Sequence, residues 1–417
     1  MIKYIINCQS KSVKITWSKG KNNYLDNCYF KKFRISFMKG SCRMSEYRIG
    51  VITTPISKAG IVPVSDLITI IRSISKNVFL ITGSEGYDFF RNNKEIKTFG
   101  LSPKNSSFFI KRIFNYLSLQ LEISLYIFKT RKEIDFFIFF INADVLLLPA
   151  LTAHLFKKKV IVMFAASSVK IHASNKDPLV SGLKILHFFT CTVADKIIVY
   201  ADRIIRDYSL ERWNEKIVIA HQHFINFKNF TIKKEYHSRE YLIGYVGRFS
   251  EEKGILHLLD AVSDITIKKP DIKFLIIGDG PLRNKIEQFI LDNNLSERII
   301  LPGWISHDEL PDYLNQMRLL VIPSYTEGLP SVMLEAMACG TPVLATPVGG
   351  ILSFIRDGET GFILENNKPK CITSTVIKIL DDENSVNIIR NAYQLVQNEF
   401  QFEKLVEEFK TIFDNAA

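Results

Sequence analysis

Twice along this chain, short apolar runs alternate with longer amphipathic ones, and this double series constrains the fold more than any other feature. The first series offers strands at 48–52, 78–82, 144–148, 160–164, 197–200 and 217–220. The second offers 241–246, 273–277, 298–301, 319–323, 342–345 and 361–364. The stretches between them read as helices. Such alternation implies βαβ units and parallel sheets. The predicted architecture is therefore α/β, with two Rossmann-like domains in tandem over residues 44–228 and 241–399. The polar, charged stretch between the series carries the linker, at 229–240, and residues 400–417 supply a C-terminal amphipathic helix. Ligands of open parallel sheets bind beyond the carboxyl ends of the strands. Two such sheets facing each other leave a cleft where a donor and an acceptor can meet.

The chain's 417 residues suffice for two cores. With 47% hydrophobic and 23% charged residues it reads as globular. No apolar run reaches the length of a transmembrane helix, and the first residues lack a signal peptide's apolar core. Cysteines 8, 28, 42, 191, 339 and 371 are scattered without a C-x-x-C pair. They read as reduced thiols of a cytoplasmic protein, not as a zinc site or disulfide framework. Residues 1–43 hold ten Lys or Arg, one acid and no clear period. They are expected to be a basic extension, disordered or upstream of a natural start at Met44 or Met38.

Charge is uneven. Residues 1–240 carry 38 Lys or Arg against 18 acids, and residues 241–417 carry 16 against 25. The basic half suits an anionic partner, a membrane surface or phosphorylated lipid, or else is a solvated surface. No nucleic-acid-binding motif accompanies it. In stretch 107–132, residues Ile110, Ile113, Phe114, Leu117, Leu121 and Leu125 form a helical stripe flanked by Lys111, Arg112, Lys129, Arg131 and Lys132. It is expected to pack on its own sheet; lying on a membrane is the alternative.

Chemistry concentrates in residues 323–350, PSYTEGLPSVMLEAMACGTPVLATPVGG. Glu327 follows an apolar strand, and Pro330 and Ser331 open a helix carrying Glu335. A helix start presents free N–H groups and a positive dipole end, ready for phosphate. The segment resembles the E-x₇-E signature of the family 4 retaining glycosyltransferases. YLIGYVGRFSEEKGI (241–255) and FLIIGDGPLRNKIE (274–287) resemble further segments of that family, in order and spacing. The likeness is strong over 241–365, weaker over 47–228, and absent from the first forty residues. It implies the GT-B fold; in that family a C-terminal helix crosses back to the first domain, and here the helix alone is expected. The likeness also implies a metal-independent, retaining transferase of hexosyl type. The substrates would be a nucleotide-sugar donor, UDP- or GDP-linked, and a saccharide or lipid-linked acceptor; no cofactor is needed.

By this resemblance, Arg248 and Lys253 neutralise the donor diphosphate. Glu327 binds sugar hydroxyls and Glu335 the ribose. Gly247, Gly278, Ile305, Gly328, Leu329, Pro330 and Ser331 line the donor, although Pro330 has no N–H to give. Three places depart from the family. The loop after the first strand has only Gly60, with Lys58 beside it, for a backbone approach to the phosphates. Ala165 and Ala166 replace a family His-Gly, leaving Ser167 or Ser168 as acceptor contacts. KIVIAHQHFIN replaces a Pro-Asn-Gly-Val-Asp stretch and puts His221 and His223 on a loop, as proton shuttles or bystanders. Envelope polysaccharide or glycolipid assembly at the inner membrane face is the expected setting. A silent nucleotide-sugar-binding protein and a UDP-N-acetylglucosamine 2-epimerase-like enzyme are the rivals.

Overall fold

The computed structural model describes residues 47–417 other than 103–105, 107, 165–166, 175–176, 241 and 383–384, together with three short backbone stretches nearer the start. Those stretches are β1 (Lys3–Cys8), β2 (Lys11–Thr16) and β3 (Arg34–Phe37), an antiparallel sheet in the order β1-β2-β3. The expectation of no regular element over 1–43 is thus corrected at three places. Alternation such as Val13 and Ile15 between polar residues is the period-two signal that the charge obscured. Met38 and Met44 lie outside the described residues.

The first large sheet contains β4 (Arg48–Ile56), β5 (Asn77–Ser84), β6 (Lys97–Leu101), β7 (Phe136–Phe140), β8 (Lys159–Met163), β9 (Lys196–Val199) and β10 (Ile217–Ile219). Its order is β10-β9-β8-β7-β4-β5-β6, and every pair is parallel. Helices cover both faces, so the central strand β7 is FFIFF, buried throughout. The second sheet contains β11 (Leu242–Val246), β12 (Lys273–Ile277), β13 (Ile299–Gly303), β14 (Leu319–Ile322), β15 (Val343–Ala345) and β16 (Phe362–Ile363). Its order is β13-β12-β11-β14-β15-β16, again parallel.

The strand predicted at 144–148 is absent. β7 lies earlier and ends where Ile141 and Asn142 turn to positive φ, and Leu147–Leu155 is a helix. Strand β6 was not anticipated, because KTFGL has a weak alternation and a central glycine.

The chain crosses between the two sheets twice, and the crossings touch. The Ile225 N–H donates to the Phe400 carbonyl at 3.0 Å, and the Phe224 and Phe402 rings meet at 5.0 Å. Beyond the second crossing, helix Phe402–Ala416 lies on the first domain. Phe413 packs edge-on against Phe136, and the Tyr47 hydroxyl donates to Asp414 at 2.8 Å. Arg239 anchors the first crossing to the second domain. Its guanidinium is buried and donates to Thr341 Oγ1 at 2.8 Å and to the Cys339 carbonyl at 2.7 Å.

Candidate functional site

In the second sheet the connections run one way from β11 through β12 to β13, and the other way from β14 through β15 to β16. The strand order therefore reverses between β11 and β14, and such a switch point opens a crevice at the strand ends. The loop after β11 carries Arg248 and Lys253, and the loop after β14 carries Glu327. Topology alone places these two loops side by side.

Glycines let them touch. Gly254 has φ +67, and a Cβ there would stand 2.0 Å from the Pro323 carbonyl oxygen, so only glycine fits. The backbone of Tyr325 donates to Glu252 at 2.9 Å across the same junction. On the other side Gly349, at φ +56, abuts the Glu327 carbonyl, and the Gly350 N–H donates to Gly328. The Glu327 loop is thus clamped between two turns. Within it, the Lys253 ammonium donates to both carboxylate oxygens of Glu327 at 2.8 Å, and the Ser324 hydroxyl donates to one of them at 2.7 Å. The Lys253 side chain is 28% exposed and that of Glu327 is 9% exposed. Arg248 is exposed, and among the described residues its guanidinium has no ion pair. Gly247 and Gly278 meet at the ends of β11 and β12, where the Gly247 N–H donates to Ile277. Ile305 is half-buried after β13.

Helix Ser331–Ala338 begins beyond Leu329, which is buried, and Pro330 occupies the position before its first turn. Glu335 is buried inside this helix and accepts from His307 Nε2 at 2.6 Å. Burial pulls the His307 pKa down, but the charge and hydrogen bond of Glu335, with Asp66 and Asp308, outweigh it and the net shift is upward.

The cluster extends across the domains. His223 Nδ1 lies 3.2 Å from Ser331 Oγ and 3.6 Å from Asp66 Oδ2. Asp66 is on helix Lys58–Ile74 of the first domain, and burial raises its carboxyl pKa against the opposing pull of His223. These groups line a cavity of about 70 Å³ with Val62, Phe230 and Leu334. Asp66 and His307 were missed from the sequence. The signal for His307 was its place two residues after Ile305, in the loop that follows β13.

Several expectations on the first domain need correction. Gly60 is in the first turn of helix Lys58–Ile74 and not in a glycine-rich loop, and its N–H donates to the Ser57 carbonyl. Ser167 is buried, and its hydroxyl accepts from the Lys170 N–H at the start of helix Ser168–Ser174. Ser168 donates to buried Asp144, which also meets His187 at 3.1 Å. His221 is stacked on Phe400 with ring centres 4.4 Å apart, and burial with His223 and Lys404 nearby pushes its pKa down to about 3. It is uncharged at neutral pH and buried in this stack, a poor position for a proton shuttle. Ala165 and Ala166 lie outside the described residues.

Two Rossmann-like sheets with helices around them, joined by a double crossing, define the GT-B class of fold. The glycosyl transferases group 1 model matches residues 226–395. An uncharacterised glycosyltransferase of Methanocaldococcus jannaschii is 32% identical over 249 residues, covering 58% of this chain and 67% of its own. The capsular polysaccharide biosynthesis glycosyltransferase CapM of Staphylococcus aureus is 31% identical over 195 residues, 45% of this chain and 50% of that protein. Other curated relatives are matched over about a third to a half of their length. The crystal structure of Anabaena HepE with UDP superposes with a TM-score of 0.71 at 16% identity, covering 88% of this chain and 100% of that one. The chain belongs to the group 1 glycosyltransferases.

Proposed function

We propose that this protein is a retaining, metal-independent glycosyltransferase of family 4 type. It moves a sugar from a nucleotide diphosphate, UDP or GDP, to an acceptor hydroxyl. The observation that carries the reading is the Lys253–Glu327 pair at the β11/β14 switch point, built from loops 74 residues apart. A cation for the diphosphate and a carboxylate for the sugar stand within one hydrogen bond of each other. Arg248 and Lys253 neutralise the charge that develops on the leaving diphosphate, where positioned charge contributes most. Glu327 holds the sugar hydroxyls and faces the positive charge that grows on the ring. Glu335, steadied by His307, takes the ribose hydroxyls. The backbone N–H groups of Gly328, Leu329 and Ser331 reach sugar and phosphate from the helix start.

The departing phosphate oxygen accepts the acceptor's proton, so no separate base is assigned. The first domain receives a saccharide or lipid-linked acceptor at the cytoplasmic face of an anionic membrane. Envelope polysaccharide or glycolipid assembly is the setting, in keeping with CapM and with the diphosphoundecaprenol galactosyltransferase of Escherichia coli, 29% identical over 171 residues.

Calorimetric titration with UDP, GDP and ADP, without divalent metal, tests the donor site. One nucleotide should bind, and Lys253→Ala should abolish binding. Failure of all three to bind would refute the assignment. With the matching donor sugar, the product's anomeric configuration by NMR tests retention.

A further inference from the structure

Helix Phe109–Thr130 turns its apolar stripe outward, which overturns the expectation that the stripe packs on its own sheet. Ile110, Phe114, Leu117, Leu121 and Leu125 are all exposed, Ile110 at 80% and Phe114 at 69%. The buried side of the helix is Gln120, Ile123, Ile127 and Thr130. The neighbouring helix Leu147–Leu155 lies against it, with the Leu148 N–H donating to Gln120 Oε1 at 2.9 Å. This second helix exposes Leu148, Leu151 and Leu155 at one-turn spacing. Helix Val180–Val193, packed next to it, exposes Ile185 and Phe189.

Topology explains why three apolar faces coincide. The connections β6 to β7, β7 to β8 and β8 to β9 all step in the same direction across the sheet. Right-handed crossovers place such helices on one face. Helix Lys58–Ile74, whose connection steps the other way, covers the opposite face. A water-exposed face of this breadth is unusual for a monomer and marks an interaction surface.

Charge selects the partner. The three helices contain Lys111, Arg112, Lys129 and Lys184 but only one acid, Glu122, and Lys157 and Lys158 follow the second helix. A second copy would bring two basic faces together. An anionic lipid surface would take the apolar side chains between its headgroups and the Lys and Arg at their level.

We propose that this three-helix face docks the protein on an anionic bilayer. The inference rests on the membrane part of the functional reading and not on the donor site. The helices begin at the carboxyl ends of their preceding strands, so Phe108 and Ile110, the most exposed end of the stripe, lie at the rim on which the cleft opens. Arg112 ties this end to Asp177, just beyond helix Ser168–Ser174. Docking would hold the cleft mouth at the lipid surface, within reach of a lipid-borne acceptor.

Flotation of the full chain with vesicles of phosphatidylcholine, with or without phosphatidylglycerol, tests this. The protein should float with the anionic vesicles. Phe114→Ser with Leu117→Ser should weaken partitioning by about tenfold or more. Lys111→Glu with Lys184→Glu should remove the preference for phosphatidylglycerol, roughly tenfold or more. All four side chains are at the surface, and unchanged melting curves verify the fold; Leu155→Ser repeats the test on a separate helix. Nucleotide titration of the same variants should match wild type, which separates loss of docking from loss of the donor site. Absence of wild-type binding to anionic vesicles, or variants that bind like wild type, overturns the proposal. So does a dimer seen by light scattering that the serine variants dissolve.

Discussion

The Lys253–Glu327 pair invites a double-mutant cycle of Lys253→Met and Glu327→Gln. At about 3 Å and an effective dielectric near 20, the direct attraction is about 5 kcal/mol. Desolvation offsets most of it, and charged hydrogen bonds retain roughly 1.5–3 kcal/mol net. Ser324 continues to hold Glu327 when Lys253 is replaced, so the carboxylate is not left bare. The expected coupling is therefore about 2 kcal/mol, or roughly 4–8 °C in melting temperature for domains of this size. Urea and thermal melting of the four proteins measure it. A coupling under about 0.5 kcal/mol would show that the pair is an incidental surface contact and refute the reasoning. The same proteins give a second reading. If Lys253 is shared between Glu327 and the diphosphate, Glu327→Gln releases it. Nucleotide should then bind no more weakly than to wild type, while turnover falls about tenfold or more. Parallel loss of both would contradict the sharing.

Gly254→Ala should destabilise the protein by more than about 2 kcal/mol in urea melts, because a left-handed residue acquires a Cβ pressed against the Pro323 carbonyl. His221→Phe should reduce acid sensitivity. The folded His221 pKa is about 3, so the unfolded chain binds more protons below its ordinary value of 6.5. Wild-type stability should fall as pH drops from about 6.5 toward 3, and the variant's stability should fall less in thermal melts. His307 has the opposite sign. Its folded pKa is raised, so its pairing with Glu335 stabilises fully below the unfolded value and is lost as pH rises through the folded one. His307→Gln should flatten that alkaline decline, and equal slopes in the two proteins would count against the pairing.

The double α/β architecture was legible because parallel strands buried on both faces are written as plain apolar runs, as in LLVI of β14. Lys253 and Glu327 were assigned from the sequence to one donor only through the family resemblance; that their loops lie side by side follows from the strand order, which apolar runs do not encode. The first domain was harder to read. FFIFF and the following VLLLP are equally apolar, and only the positive φ at Ile141 and Asn142 decides which is a strand. Whether the stripe from Ile110 to Leu125 faces in or out depends on which side of its helix meets the sheet. Periodicity cannot supply that, because the buried side holds Gln120 and Thr130 beside two isoleucines. His221 and His223 look alike in sequence, yet one is fixed in an aromatic stack and the other joins the domains.

The return of helix Phe402–Ala416 onto the first domain bears on how the protein is made. Tyr47 and its partner Asp414 are 367 residues apart. At roughly 5–20 residues per second, the ribosome needs roughly 20–70 s to traverse that interval. Over its last 194 residues, from Ile219 to Phe413 and roughly 10–40 s, the first sheet has been made while the surface that Phe413 will cover is still bare. The amino-terminal domain therefore cannot reach its final form as a nascent unit. Its completion waits for the second domain to be synthesised, and a chaperone that shields the uncovered surface has that whole interval in which to act.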